Sequence, residues 1–150
     1  MIKLLKTFAI CLFLISCSAE KEYNTIISTD KGEVFYNLEM AISAEQQAQG
    51  LMNRETLAKD GGMIFVINPI RNVTMWMKDT KIPLDIIYVS PEAKIIKIIE
   101  NAQPMSEEHL SSDGKVRAVI ELNGGSAKKY GIMVGIMVRN AALGNLSVPK

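Results

Sequence analysis

The chain has 150 residues, 48% of them hydrophobic and 22% charged, with a formal net charge of +1. That length supports one domain with a real core and leaves no room for a second. A near-neutral balance without a basic block lacks the electrostatic footprint of a nucleic-acid binder, so none is expected as a partner.

At the N-terminus Lys3 and Lys6 precede an apolar run, Thr7 to Ile15, much shorter than the ~20 residues of a spanning helix. A basic start before such a run has the form of a secretory signal, predicted here over residues 1–16. Leu14-Ile15-Ser16-Cys17 resembles the bacterial lipobox, which is cut just before the cysteine. The resemblance implies lipidation of Cys17, with diacylglycerol on sulfur and an acyl chain on nitrogen. More than one chain meets the requirement for stable membrane anchoring. Ser18 follows in place of the aspartate that resembles an inner-membrane retention signal. The expected location is thus the cell envelope, outside the cytoplasm, on the outer membrane facing the periplasm where two membranes exist.

Cys11 leaves with the signal and Cys17 is consumed by lipid, so the mature domain has no thiol. A disulfide, a zinc–thiolate site and a cysteine nucleophile are thereby excluded. Loss of Lys3 and Lys6 from 17 basic side chains leaves 15 against 16 acidic. Residues 17–33 read as the lipidated cysteine and a flexible tether, 34–140 as the domain, and 141–150 as a C-terminal tail.

Val34 to Ile42 reads as a strand. Ser43-Ala44-Glu45-Gln46 has the form of a capping box with Ser43 as N-cap. Behind it Ala44, Ala48, Leu51 and Met52 make one apolar helical face. Asp60-Gly61-Gly62 is a turn, and Met63 to Ile67 a short buried strand ended by Asn68-Pro69. Val73, Met75 and Met77 alternate with Thr74, Trp76 and Lys78 at the period of a strand. Leu84 to Val89 and Ile95 to Ile99 flank Ser90-Pro91-Glu92-Ala93-Lys94, a hairpin of two runs apolar on both faces and therefore expected to be central. Val116 to Asn123 alternates again. Gly124-Gly125 is a turn, Ser126 caps one helical turn through Tyr130, Gly131 stops it, and Ile132 to Gly135 leads into a last strand. These elements predict an α+β fold, a small, strand-rich, antiparallel and partly closed β-barrel with one or two short helices.

Gly50-Leu51-Met52-Asn53-Arg54, Gly62-Met63-Ile64-Phe65, Met75-Trp76-Met77-Lys78-Asp79-Thr80 and Ile82-Pro83-Leu84-Asp85 occur in order. Asn101-Ala102-Gln103-Pro104, Val119 to Gly125 and Gly131-Ile132-x-Val134-Gly135 follow. This series looks like the bacterial family catalogued as domain of unknown function 192, over roughly residues 34–139. The resemblance implies an exported or membrane-associated protein and brings no established activity. Two positions depart from the family pattern: Asp79 stands where Asn is usual, and Gly135-Ile136 where Gly-Asp is usual. The Gly-Ile-x-x-Gly ending also looks like a loop of double-psi and related small barrels, an analogy for fold alone.

Trp76, Lys78 and Asp85 are the candidate binding residues, an aromatic floor with paired charges. An odd register sum through residues 79–83 would put the three on one face, and an even sum would separate them. Alternatively a Lys78–Asp85 pair merely stabilises the loop. Arg54, Glu39 and Glu121 are charges embedded in apolar segments, read as a structural ion pair in which the Arg54 fork meets a carboxylate. Met75 and Met77, with Met63 near them in the fold, offer soft thioethers and an alternative copper(I) reading. Alternating methionine on a strand is more often core filling, and the one histidine, His109, lies far away in sequence.

Enzyme signatures are missing: no Gly-x-Ser-x-Gly, no phosphate-cradling glycine loop, no metal-spaced histidines. Asp79, Asp85, Glu100 and Glu121 are too scattered to nominate an acid–base pair, and an envelope hydrolase is the third reading. The leading expectation is a lipid-anchored domain that binds an envelope protein, peptidoglycan or a small ligand, without a cofactor.

Overall fold

Runs of β-branched and aromatic residues separated by glycine and proline turns build nine strands among residues 23–146, which are the residues described in this computed structural model. The signal peptide, Cys17, and the end of the C-terminal tail lie outside them. In chain order the elements are β1 (Thr25–Thr29), β2 (Gly32–Ala41), α1 (Ala44–Gln49), β3 (Gly61–Arg71), β4 (Thr74–Met75), β5 (Leu84–Val89), β6 (Ile95–Ala102), β7 (Leu110–Ser111), β8 (Val116–Asn123), α2 (Ser126–Tyr130) and β9 (Val138–Asn140).

Seven strands form one curled sheet in the order β6-β5-β8-β3-β2-β1-β9, and β4 pairs with β7 apart from it. The two ends of the sheet approach each other. Lys94 bridges Met137, and Ile95 N–H donates to the Ile136 carbonyl at 2.8 Å. The fold is the expected small, partly closed α+β barrel. Its pairing is antiparallel except between β2 and β3, which run parallel.

Strand periodicity divides the core in two. Ile27, Tyr36, Leu38, Ile64, Ile87, Val89, Ala118, Ile120 and Leu122 fill the barrel interior. On the opposite face of β3, β5 and β8, Met63, Phe65, Ile67, Leu84, Ile86, Tyr88 and Val119 form a second core, covered by Leu51 and Met77 from the connecting segments.

Several local expectations are corrected. The domain starts before residue 34, because β1 pairs with both β2 and β9 inside the segment read as tether. β3 does not end at Asn68-Pro69 but runs on to Arg71 through a register shift against β8. A local irregularity lets a strand carry proline where the ladder needs no donor. The alternating segment 73–78 supplies only the two-residue β4, after which the chain covers the outer core. β6 is partly exposed rather than central, because it lies at the end of the sheet order. No residue within α1 is buried, and Leu51 reaches the core from the turn beyond it. Ser126 is the first residue of α2 instead of its cap.

Candidate functional site

The capping box at Ser43 forms as expected, with Gln46 N–H donating to Ser43 Oγ at 3.2 Å and Ser43 N–H to Gln46 Oε1 at 2.9 Å. One turn on, Gln47 Nε2 donates to the Val66 carbonyl at 2.8 Å and pins α1 beside β3. Gly50 then turns with φ of +46°, and a Cβ there would meet the Phe65 ring at 3.3 Å, a close approach that glycine permits. The segment after it is tied to the Trp76 loop by Asn53 N–H donating to the Asp79 carbonyl at 2.8 Å. Asp79 itself adopts φ of +52°, a left-handed conformation for which Asn and Asp are the best suited of the residues bearing a side chain. Met77 N–H donates to Ser106 O at 2.9 Å and Met105 N–H to Thr80 O at 3.0 Å, so the loop is held from two sides.

Between α1 and this loop lies a cleft of about 90 Å³. Its walls are Gln47 to Met52, Phe65, Thr74 to Trp76 and Thr80, and Glu121 lines it from β8. Register explains the placement of the glutamate. Glu121 lies opposite Met63 of β3 and Ile86 of β5, on the outer-core face that it shares with Val119. It is 4% exposed, and none of the hydrogen bonds or ion pairs among the described residues includes its carboxylate, which is not sealed off like the Tyr36 hydroxyl, the one fully buried side-chain polar atom found without a partner. Burial alone pushes its carboxyl up to about 8. A buried, partnerless ionisable group is costly to folding, and its presence in a cavity calls for explanation.

Trp76 stands at the mouth of the cleft, 45% exposed, with Lys78 Nζ 5.5 Å from its ring centroid. Asp85 does not join them. It lies opposite Leu122 and shares the inward-facing side of β5 with Ile87 and Val89. There, fully buried, it accepts from Asn101 N–H at 2.8 Å, Gly125 N–H at 3.0 Å and Ala127 N–H at 2.7 Å. Asp85 therefore caps α2 from another strand, and the Trp76–Lys78–Asp85 cluster separates into a surface pair and an internal anchor.

Of the expected ion-pair residues, Arg54 and Glu39 form a two-pronged pair, Nη1 with Oε1 and Nη2 with Oε2 at 2.7 Å. The guanidinium holds the Glu39 carboxyl below its ordinary range. Glu121 takes no part in it. Met63 and Met77 are buried in the outer core, and Met75 packs against that cluster and lines the cleft. Among the described residues no three His, Cys, Asp or Glu side chains gather as a metal site, and no helix is long and apolar enough to cross a membrane.

Thr80, Gln47 and Gly50 were not singled out by sequence reasoning. Their one signal was position: Gly50 opens the Gly-Leu-Met-Asn-Arg block, Thr80 closes the block from Met75, and Gln47 lies three residues before Gly50. A larger, open groove of about 530 Å³ lies elsewhere, between Phe35, Tyr36, Tyr130 and Lys59.

The family model for DUF192, described as Uncharacterized ACR, matches residues 25–140. A solved protein of unknown function from Novosphingobium aromaticivorans DSM 12444 is 39% identical, with a TM-score of 0.76 over 77% of this chain and 83% of that one. A protein from Sinorhizobium meliloti 1021, described as a candidate transcription regulator, is 36% identical, with a TM-score of 0.77 over 81% of this chain and 95% of that one. No curated protein matches the chain.

Proposed function

The chain belongs to the uncharacterised family DUF192, and from that premise we propose that it is a non-enzymatic binding domain of the cell envelope, lipid-anchored through Cys17, with its site in the Glu121 cleft. The observation that carries the binding role is the buried carboxyl without a partner facing a cavity whose mouth is an exposed tryptophan. A fold that needed only packing at position 121 would be more stable with a hydrophobic residue there. Apart from Glu121 the lining has no titratable side chain, which suits holding a ligand better than the paired acid and base of a hydrolase.

The envelope placement rests on the basic start, the short apolar run and the lipobox-like Leu14 to Cys17. Thr25, the first residue of β1, is eight residues beyond Cys17. At roughly 3.5 Å per residue Thr25 stays within about 28 Å of the lipid attachment.

The test is a photocrosslinking residue at position 78 of the anchored protein in living cells. A discrete adduct that disappears with both Trp76→Ala and Glu121→Gln is the expected result. Capture indifferent to both substitutions overturns the reading.

A further inference from the structure

The chemistry of the cleft, resting on the binding role above, specifies its guest more narrowly. We propose that the Glu121 cleft receives a small primary ammonium group, held by the Glu121 carboxylate beneath Trp76.

Three independent features agree on a cation. The lining contains one acidic side chain and no Lys, Arg or His. No hydrogen bond or ion pair among the described residues uses the Glu121 carboxylate, and an ammonium would bring it three donors; Thr74 and Thr80 also line the wall, the Thr80 hydroxyl donating to the Lys78 carbonyl at 3.1 Å. Trp76 offers an aromatic face, and the ring already attracts the Lys78 ammonium at 5.5 Å. Size narrows the guest further. A volume of about 90 Å³ suits a small ammonium such as methylammonium.

Proton exchange gives the site a signature. With the carboxyl pushed up to about 8 by burial, the empty cleft holds a proton at neutral pH. Entry of an ammonium cation releases that proton, so the buried charge is never unpaired. The groups packed around Glu121 leave this exchange to it alone. Met63 and Phe65 come from β3 and Ile86 from β5, and Gln47 and Leu51 come from the α1 side. Tyr88 of β5 is the other titratable group on that face. Its hydroxyl donates to the Leu110 carbonyl at 2.5 Å, and its pKa is raised far above neutrality by burial. Lys78 lies over Trp76 at the mouth, and Arg54 is engaged with Glu39 on the adjoining surface.

The experiment uses the full-length protein in neutral detergent micelles, with methylammonium chloride as probe. Trp76 is the one tryptophan of the chain, so its fluorescence reports the cleft directly. Between pH 6.5 and 7.5 the affinity should rise about tenfold, as linkage to one released proton requires. Calorimetry in buffers of different ionisation enthalpy should count about one proton per methylammonium bound. Glu121→Gln should abolish both effects while keeping a cooperative melt. Trp76→Leu should weaken calorimetric binding several-fold and leave the proton count unchanged. A response equalled by uncharged acetamide, or retained in Glu121→Gln, overturns the proposal. Absence of methylammonium binding also overturns it. If crosslinking from position 78 then still depends on Glu121, only the ammonium assignment falls; if that dependence is absent too, the binding site falls with it.

Discussion

Glu121 and Asp85 are two buried acids on neighbouring strands with opposite situations. Asp85 has three backbone N–H donors, whereas Glu121 has none. Removing the Asp85 carboxylate would orphan three buried donors and uncap α2. Asp85→Ala should therefore cost about 3–5 kcal/mol, read by chemical denaturation, and Asp85→Asn less. Glu121 reverses the usual pH dependence of a carboxylate. Its folded pKa of about 8 lies above the ordinary 4.5, so between these values the folded chain holds a proton that the unfolded chain has released. Its contribution is intact below about pH 4.5, falls as pH rises, and is fully lost above about pH 8, a total of roughly 5 kcal/mol at most. Denaturation at pH 5, 7 and 9 should show this decline in the parent protein and a flatter profile in Glu121→Gln. Sequence periodicity placed Glu121 opposite Ile120 and Leu122 on its strand and marked it as a charge among apolar residues. It did not reveal that Arg54 would meet Glu39 instead, because that depends on where a separate segment crosses the sheet. Trp76 and Lys78 were legible as a pair, while Asp85 was not separable from them until register was known.

At the level of elements, features governed by neighbours in sequence were readable. The capping box from Ser43 to Gln46, the hairpin around Pro91 and the left-handed stop at Gly131 all need only local chemistry, and all form. Features governed by distant partners were not. The parallel pairing of β2 with β3 and the passage of β3 beyond Pro69 depend on β8 and on the barrel's curvature. Gly62 shows the same dependence. A Cβ there would lie 2.4 Å from the Glu121 carbonyl oxygen and 2.8 Å from Leu38 Cδ2, so its smallness serves the contact between β3 and β8 rather than a turn. Gly62→Ala should cost about 2–3 kcal/mol by overpacking. It should also displace the strand carrying Glu121, so altered Trp76 fluorescence is expected in the folded variant. An unchanged melting temperature would contradict the tight β3–β8 approach.

For the whole molecule, anchoring and closure meet at one edge. Cys17→Ser is expected to stop fatty-acid labelling and release the protein from membranes, with the domain still folded; persistent labelling would remove the anchoring proposal. β1, the strand closest in sequence to the proposed anchor, pairs with β9, and Asn140 Nδ2 donates to Thr25 Oγ1 at 2.6 Å in a buried contact. The first strand thus takes its outer partner from almost the last residues of the domain. A chain emerging N-terminus first exposes the β1 edge throughout synthesis, and that edge can be covered only after residue 140 has appeared. Strand edges left open in this way invite pairing with other chains. The seam therefore sets an order on biogenesis: the early strands must wait, and a chain stalled before β9 is the form most exposed to aggregation and proteolysis.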